Sequence, residues 1–168
     1  MNKVIYRCAV PDDAENISML LDLVVNEKSN ATILDCDITA GISREVIKNL
    51  SPRASYMVAE QASTKKLIGL LTTEPYSGHL HNYDHVTLMA IYVSTEFQRK
   101  GIGTKLLYEG LNLAKNAGFE KIFTYLRTDN IKAIRFVNKH GFRIIGTTYD
   151  FVKKDDIYFN GILIEKKI

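Results

Sequence analysis

An apolar run, Val86–Val93, leads through Gln98-Arg99-Lys100-Gly101-Ile102-Gly103-Thr104 into an amphipathic pattern in which Ile102, Leu106, Leu107, Leu111 and Ala114 recur at helical spacing. A strand, a turn with two glycines and a helix whose apolar face must pack on a sheet follow one another without a break. That succession fixes much of what the chain can become, and it builds a cradle for an anion. The first amides of a helix have no partner within it and carry the positive end of its dipole. Gly101 and Gly103 let a ligand approach the backbone closely, while Arg99 and Lys100 add positive charge beside it. A phosphate or pyrophosphate is the natural guest.

Two familiar phosphate loops fail on spacing. A Walker loop needs four residues between its glycines and a Lys-Ser/Thr pair after the second, whereas one residue separates Gly101 from Gly103. A dinucleotide fingerprint needs a third glycine where Leu106 stands. What remains, Gln-x-x-Gly-x-Gly followed by Thr, resembles the pyrophosphate signature of the GNAT superfamily of acetyl-CoA-dependent N-acyltransferases. Tyr6-Arg7-Cys8-Ala9-Val10-Pro11-Asp12-Asp13-Ala14 is similar to that family's opening strand and helix start. Asn130-Ile131-Lys132-Ala133-Ile134, closing on Gly141-Phe142, resembles its second cofactor segment. The three patterns fall in the family's order.

Bulk properties fit one globular domain spanning residues 1–168. The chain is long enough to bury its own core, with 46% hydrophobic and 24% charged residues. Its formal charge of +3 is mild and its basic residues are dispersed, so nucleic-acid binding is not implied. Cys8 and Cys36 make no disulfide framework and suggest a reducing compartment. No signal peptide and no apolar run approaching 18 residues is read, so no membrane partner is expected and the cytoplasm is the expected location.

Strands and helices alternate along the sequence. Lys3–Val10 reads as a strand, and Asp12 or Asp13 can cap a helix over Ala14–Asn26 with Ile17, Leu20, Leu21 and Val24 on one face. Residues 28–40 are poorly patterned, and a helix over Ser43–Leu50 stops before Pro52. Ser55–Glu60 and Lys66–Glu74 form a hairpin, and Pro75–His85 is a loop. Beyond the opening motif come a strand Lys121–Arg127, a helix Ile131–His140, a strand Phe142–Phe151 and a last strand Ile157–Glu165, entered by a turn at Lys153–Asp156. The expected class is α/β (α+β): a GNAT-like mixed, partly antiparallel central sheet flanked by helices.

The resemblance implies direct transfer of acetyl from acetyl-CoA to an amine in a ternary complex. It places the pantetheine arm along Ile91, Tyr92 and Val93, as an added strand would lie. It places the pyrophosphate on the amides from Arg99 through Lys100, Gly101, Ile102 and Gly103 to Thr104, with Gln98 shaping the turn. Asn130 would bind the arm, Ala133 would let it pass, and Lys139 would meet a phosphate of the adenosine end. The partner is a small-molecule or protein amine; members are often homodimers, and the oligomeric state stays open.

Two positions depart from the family. Val137 stands where many members carry a tyrosine that protonates the departing thiolate, and Leu88 where a glutamate acts as base. An alkylammonium titrates near about 10, so its proton must still be removed before attack. Substitute candidates are His85, ahead of the central strand, and Tyr149 and Tyr158 on the last two strands. Glu74 and Glu60, at strand ends, can hold a cationic amine or be merely solvated, and Tyr76 and Tyr83 can line an apolar pocket or cover the core. His79, His81 and His85 do not match a zinc spacing, so no metal is expected. The alternative to an enzyme is a degenerate GNAT domain that binds acetyl-CoA or CoA as a sensor.

Overall fold

The computed structural model describes residues 3–26 and 44–168. The expectations for residues 28–40, Cys36 and Ser43 lie outside the described residues.

Seven strands form one sheet: β1 (Val4–Cys8), β2 (Ser55–Gln61), β3 (Leu67–Pro75), β4 (Val86–Val93), β5 (Lys121–Arg127), β6 (Arg143–Lys154) and β7 (Ile157–Lys167). Their order is β1-β2-β3-β4-β5-β7-β6, and β4 with β5 is the parallel pair. The sheet is therefore mixed and mainly antiparallel, as the pattern of elements implies. Helices α1 (Ala14–Asn26) and α2 (Arg44–Lys48) lie between β1 and β2 in the chain, α3 (Ile102–Asn116) between β4 and β5, and α4 (Ile131–Lys139) between β5 and β6.

Helix α1 buries Ile17, Leu20, Leu21 and Val24 against Tyr56, Val58, Leu67 and Leu70. On the other side of the sheet, Leu106 and Leu107 of α3 and Val137 of α4 meet Met57, Ala59, Ile68, Leu71, Met89 and Ile122. Because β2 and β3 are covered on both faces, their central residues are buried without alternation. That explains why both strands read as continuous apolar runs. Helix α3 lies close to β3: a Cβ built on Gly110 would stand 2.5 Å from Leu71 Cδ2.

Several boundaries differ from the sequence reading, each for a local reason. Asp13 does not cap α1 with its side chain. A short 3-10 turn, Pro11–Asp13, precedes the helix, and the Asp13 carboxylate accepts from Val10 N at 2.8 Å and from both Arg7 terminal nitrogens. Arg7 holds the Asp13 carboxyl below its ordinary range. The same guanidinium reaches Glu60 at 2.6 Å, and Lys65 meets Glu60 at 3.1 Å. Glu60, 6% exposed, is thus a structural anion and neither solvated nor part of a site. The last hairpin is longer than expected, because β6 and β7 continue to a tight turn at Asp155 and Asp156, with φ of 50° and 60°. Two positive φ values suit the two-residue turns whose twist matches a hairpin.

Candidate active site

Strand β4 keeps its antiparallel partner β3 along its whole length, from Pro75↔Thr87 to Gly69↔Val93. Its other edge behaves differently. Parallel pairing with β5 consists of Val86↔Lys121, Thr87↔Ile122 and Leu88↔Phe123, and then stops. Beyond that point β5 stays bonded to β7 as far as Arg127↔Gly161. The sheet is split between Met89–Val93 and Thr124–Arg127. Five residues of β4 offer about 17 Å of unpaired edge at the usual rise per residue.

The split opens onto the glycine loop. Gln98 donates its side-chain N–H to the Val93 carbonyl at 3.1 Å, tying the loop back to the end of β4. Arg99 and Gly101 both take left-handed backbone, with φ of 59° and 82°. Gly101 is the residue before α3, and no side chain caps it. The first helical bond runs from Lys105 N to Gly101 O at 3.0 Å, so the amides of Ile102, Gly103 and Thr104 precede it and have no helical acceptor. A Cβ on Gly101 would touch nothing within 4 Å, leaving the approach open. The residues present fit a pyrophosphate: convergent amides, an uncapped helix start and a loop held in place.

The other expected cofactor residues lie on β4 and on α4 with its cap. Ile91 and Val93 pack into the core beneath α3, while Tyr92 faces the α1 side. Asn130 accepts from Ala133 N at 3.1 Å and so caps α4, which sets Ala133 in the first turn of that helix. Lys139 lies exposed at the far end of α4. Sequence reasoning missed His140. Its Nε2 lies 3.3 Å from Thr104 Oγ1, and its ring packs on Phe136 at 4.6 Å. Burial first, then Lys139 and Lys166, push its pKa below the ordinary 6.5, so the imidazole is neutral near pH 7. Nothing local signals this contact, since 36 residues separate the partners.

The acid–base candidates are dispersed. His85 is exposed before β4, at the paired end, where its carbonyl receives Glu120 N and Lys121 N. The split begins at the opposite end of the three paired residues. Tyr149 and Tyr158 are 80% and 57% exposed on the outer end of the β6–β7 hairpin. Val137 is 5% exposed in the core and has no hydroxyl to give. His81 Nδ1 lies 3.2 Å from Asp84 Oδ2, and among the described residues no group of three or more His, Cys, Asp or Glu could hold a metal ion.

Glu74 is placed otherwise. It sits directly across from Leu88, one strand away and on the α1 side of the sheet. The Tyr56 hydroxyl donates to its carboxylate at 2.7 Å. Burial, and secondarily Glu74, push the Tyr92 phenol well above its ordinary range and keep it neutral. Register brings these three together from β2, β3 and β4, and a one-dimensional reading does not reveal that register.

The family model described as Acetyltransferase (GNAT) family matches residues 20–142. The chain belongs to the GNAT acetyltransferase family. As a member it is an acetyl-CoA-dependent acetyltransferase, with acetyl-CoA as its cosubstrate. N-alpha-acetyltransferase 50 of Danio rerio is 34% identical over 77 residues, which cover 45% of this chain and 46% of that protein, so the match spans less than half of either. An uncharacterized N-acetyltransferase of Bacillus subtilis (strain 168), YvbK, is 26% identical over 84% of this chain and 89% of its own length. Among solved structures, the acetyltransferase of GNAT family from Streptococcus pneumoniae superposes with a TM-score of 0.86 at 21% identity, covering 99% of this chain and 100% of that one.

Proposed function

We propose that residues 1–168 act as one GNAT domain of the cytoplasm, transferring acetyl to a primary amine of a small molecule or protein by direct attack in a ternary complex. The observation that carries this reading is the split between β4 and β5, which opens straight onto the Gln98–Thr104 loop. An extended arm laid along Ile91–Val93 takes the edge that β5 vacates. The amides at the start of α3 then face two negative phosphates, where the helix dipole favours them. Asn130 and Ala133 flank the arm and Lys139 stands toward the adenosine end.

The amine reaches the site as an ammonium, and one proton must leave before its lone pair is available. The nitrogen then bonds to the acetyl carbon as the carbon–sulfur bond breaks. The nitrogen gives up a second proton and the thiolate takes one. The net yield is an amide, free CoA and one proton. The positions of His85, Tyr149 and Tyr158 give them no support in these proton transfers. Leu88 and Val137 favour one alternative, a domain that binds acetyl-CoA as a sensor without turning it over. Following thiol release with a panel of polyamines, amino acids, aminoglycosides and peptides separates the two. Acetyl-CoA binding without thiol above background would sink the enzyme reading.

A further inference from the structure

The α1 side of the sheet carries three strand glutamates, and two of them are already neutralised. Glu60 is held by Arg7 and Lys65, and Glu165 by Lys121 and Arg143. Glu74, exposed and bonded to the neutral hydroxyl of Tyr56, is alone of the three in being matched to no cation among the described residues. It also lies in a transverse row with Leu88 and Phe123, because Glu74 pairs with Leu88 and Leu88 with Phe123. Two strand spacings put Glu74 and Phe123 about 10 Å apart, with the apolar Leu88 between them at the point where the split begins.

From Phe123 an aromatic wall extends over the same face. The Tyr76 and Phe123 rings meet edge-on at 5.7 Å, Phe123 and Tyr125 at 5.1 Å, and Tyr125 stacks with Phe151 at 5.3 Å. Gly161 makes room for this arrangement, since a Cβ there would stand 2.5 Å from the Phe151 ring. Tyr76 and Phe151 remain 38% and 39% exposed, so the wall is presented outward and not sealed into the core.

We propose that this face is the acceptor site, and that it takes a primary amine joined by a short chain to an aromatic ring. Glu74 receives the ammonium and Tyr76, Phe123, Tyr125 and Phe151 receive the ring. The assignment rests on the acetyl-transfer reading above and adds the substrate class to it. An unmatched carboxylate beside an apolar floor favours a cation whose remaining surface is apolar. Among the described strand glutamates a polyamine finds no second free anchor, because Glu60 and Glu165 are occupied. Tyr56 keeps the Glu74 carboxylate aimed without neutralising its charge.

The test uses the full chain with acetyl-CoA and four amines: 2-phenylethylamine, spermidine, glycine and a peptide with a free N-terminus. 2-Phenylethylamine should show the highest kcat/KM by about 10-fold or more, the scale of one charge-assisted hydrogen bond together with ring burial. Glu74→Gln should raise its KM by a similar factor and leave the acetyl-CoA Kd and the melting temperature unchanged. Phe123→Leu should erode the preference for the ring without affecting acetyl-CoA. Equal use of spermidine or peptide, or an unchanged KM in Glu74→Gln, overturns the proposal. If no amine releases thiol, calorimetry of 2-phenylethylamine against the CoA-loaded protein decides. Binding lost in Glu74→Gln upholds the site while the transfer reading fails, and no binding by the wild type overturns the site.

Discussion

Replacing Gly110 by alanine pits two known effects against each other. Gly110 lies within α3, and alanine there relieves about 1 kcal/mol of helix penalty. The new Cβ, however, would stand 2.5, 2.7 and 3.2 Å from Cδ2, Cδ1 and Cγ of Leu71. Leu71 is 0% exposed and enclosed by the same core, so it has no open rotamer to swing into. Overpacking of this kind costs about 1–3 kcal/mol. The balance is a net loss of about 1 kcal/mol, or about 2–4 °C in melting temperature for a chain of this size. Urea denaturation at constant m-value measures it, since a shift in midpoint alone then reports stability. Leu71→Val, which removes the two clashing δ carbons, should cost about 1 kcal/mol by itself and much less in the Gly110→Ala background. A Gly110→Ala protein more stable than wild type, or two substitutions that simply add, would refute the close approach of α3 to β3.

Gly101→Ala places a side chain at φ 82° with open space around it, so the cost is backbone strain of about 1–2 kcal/mol. Acetyl-CoA binding should weaken about 5–30-fold by calorimetry as the loop relaxes away from that conformation. His140 has its folded pKa below the ordinary 6.5, so the folded protein holds fewer protons there than the unfolded chain. Its contribution to stability is therefore complete above that ordinary value and falls as the pH drops below it; melts between pH 5 and 8 should slope this way and flatten in His140→Gln. Asp13 behaves as a carboxylate lowered by Arg7, with stability present above the ordinary value of 3.8 and lost as the pH falls through its folded value. Arg7→Leu leaves Asp13 without its cation and Glu60 with Lys65 alone, and should cost about 2–3 kcal/mol by urea denaturation, less than a wholly buried pair because Arg7 is one-third exposed.

What could be read in the sequence was local. The Gln98–Thr104 loop is legible because its glycines, its strand and its helix start are contiguous, and a turn needs no distant partner to be recognised. Helix α1 is legible because Ile17, Leu20, Leu21 and Val24 keep a helical period whatever they pack against. Glu74 was ambiguous, since its distinction lies in facing Leu88 and meeting Tyr56 across the β2–β3 register, which shifts between Ala59 and Glu60. The inward turn of Phe151, two residues after Tyr149, is equally hidden in the sequence. Between Thr148↔Gly161 and Val152↔Phe159 the pairing breaks register, and Asp150 takes φ 51°, so alternation does not tell which ring turns toward β5. His85 is beside the central strand in sequence, but which end of β4 stays paired is a property of the sheet.

The split in the sheet has a cost of its own. A sheet interrupted after three paired residues carries two extra edges, on β4 and β5, in its interior. Unpaired edges are templates for pairing with another chain. The protein without acetyl-CoA should therefore be the form that self-associates on warming. A ligand that lies along β4 as a strand serves two ends at once, delivering the acetyl group and masking the edge. Its protection grows with concentration by mass action, to about 2.7 kcal/mol at a hundredfold excess over Kd. The folded population is in this way coupled to the supply of acetyl-CoA.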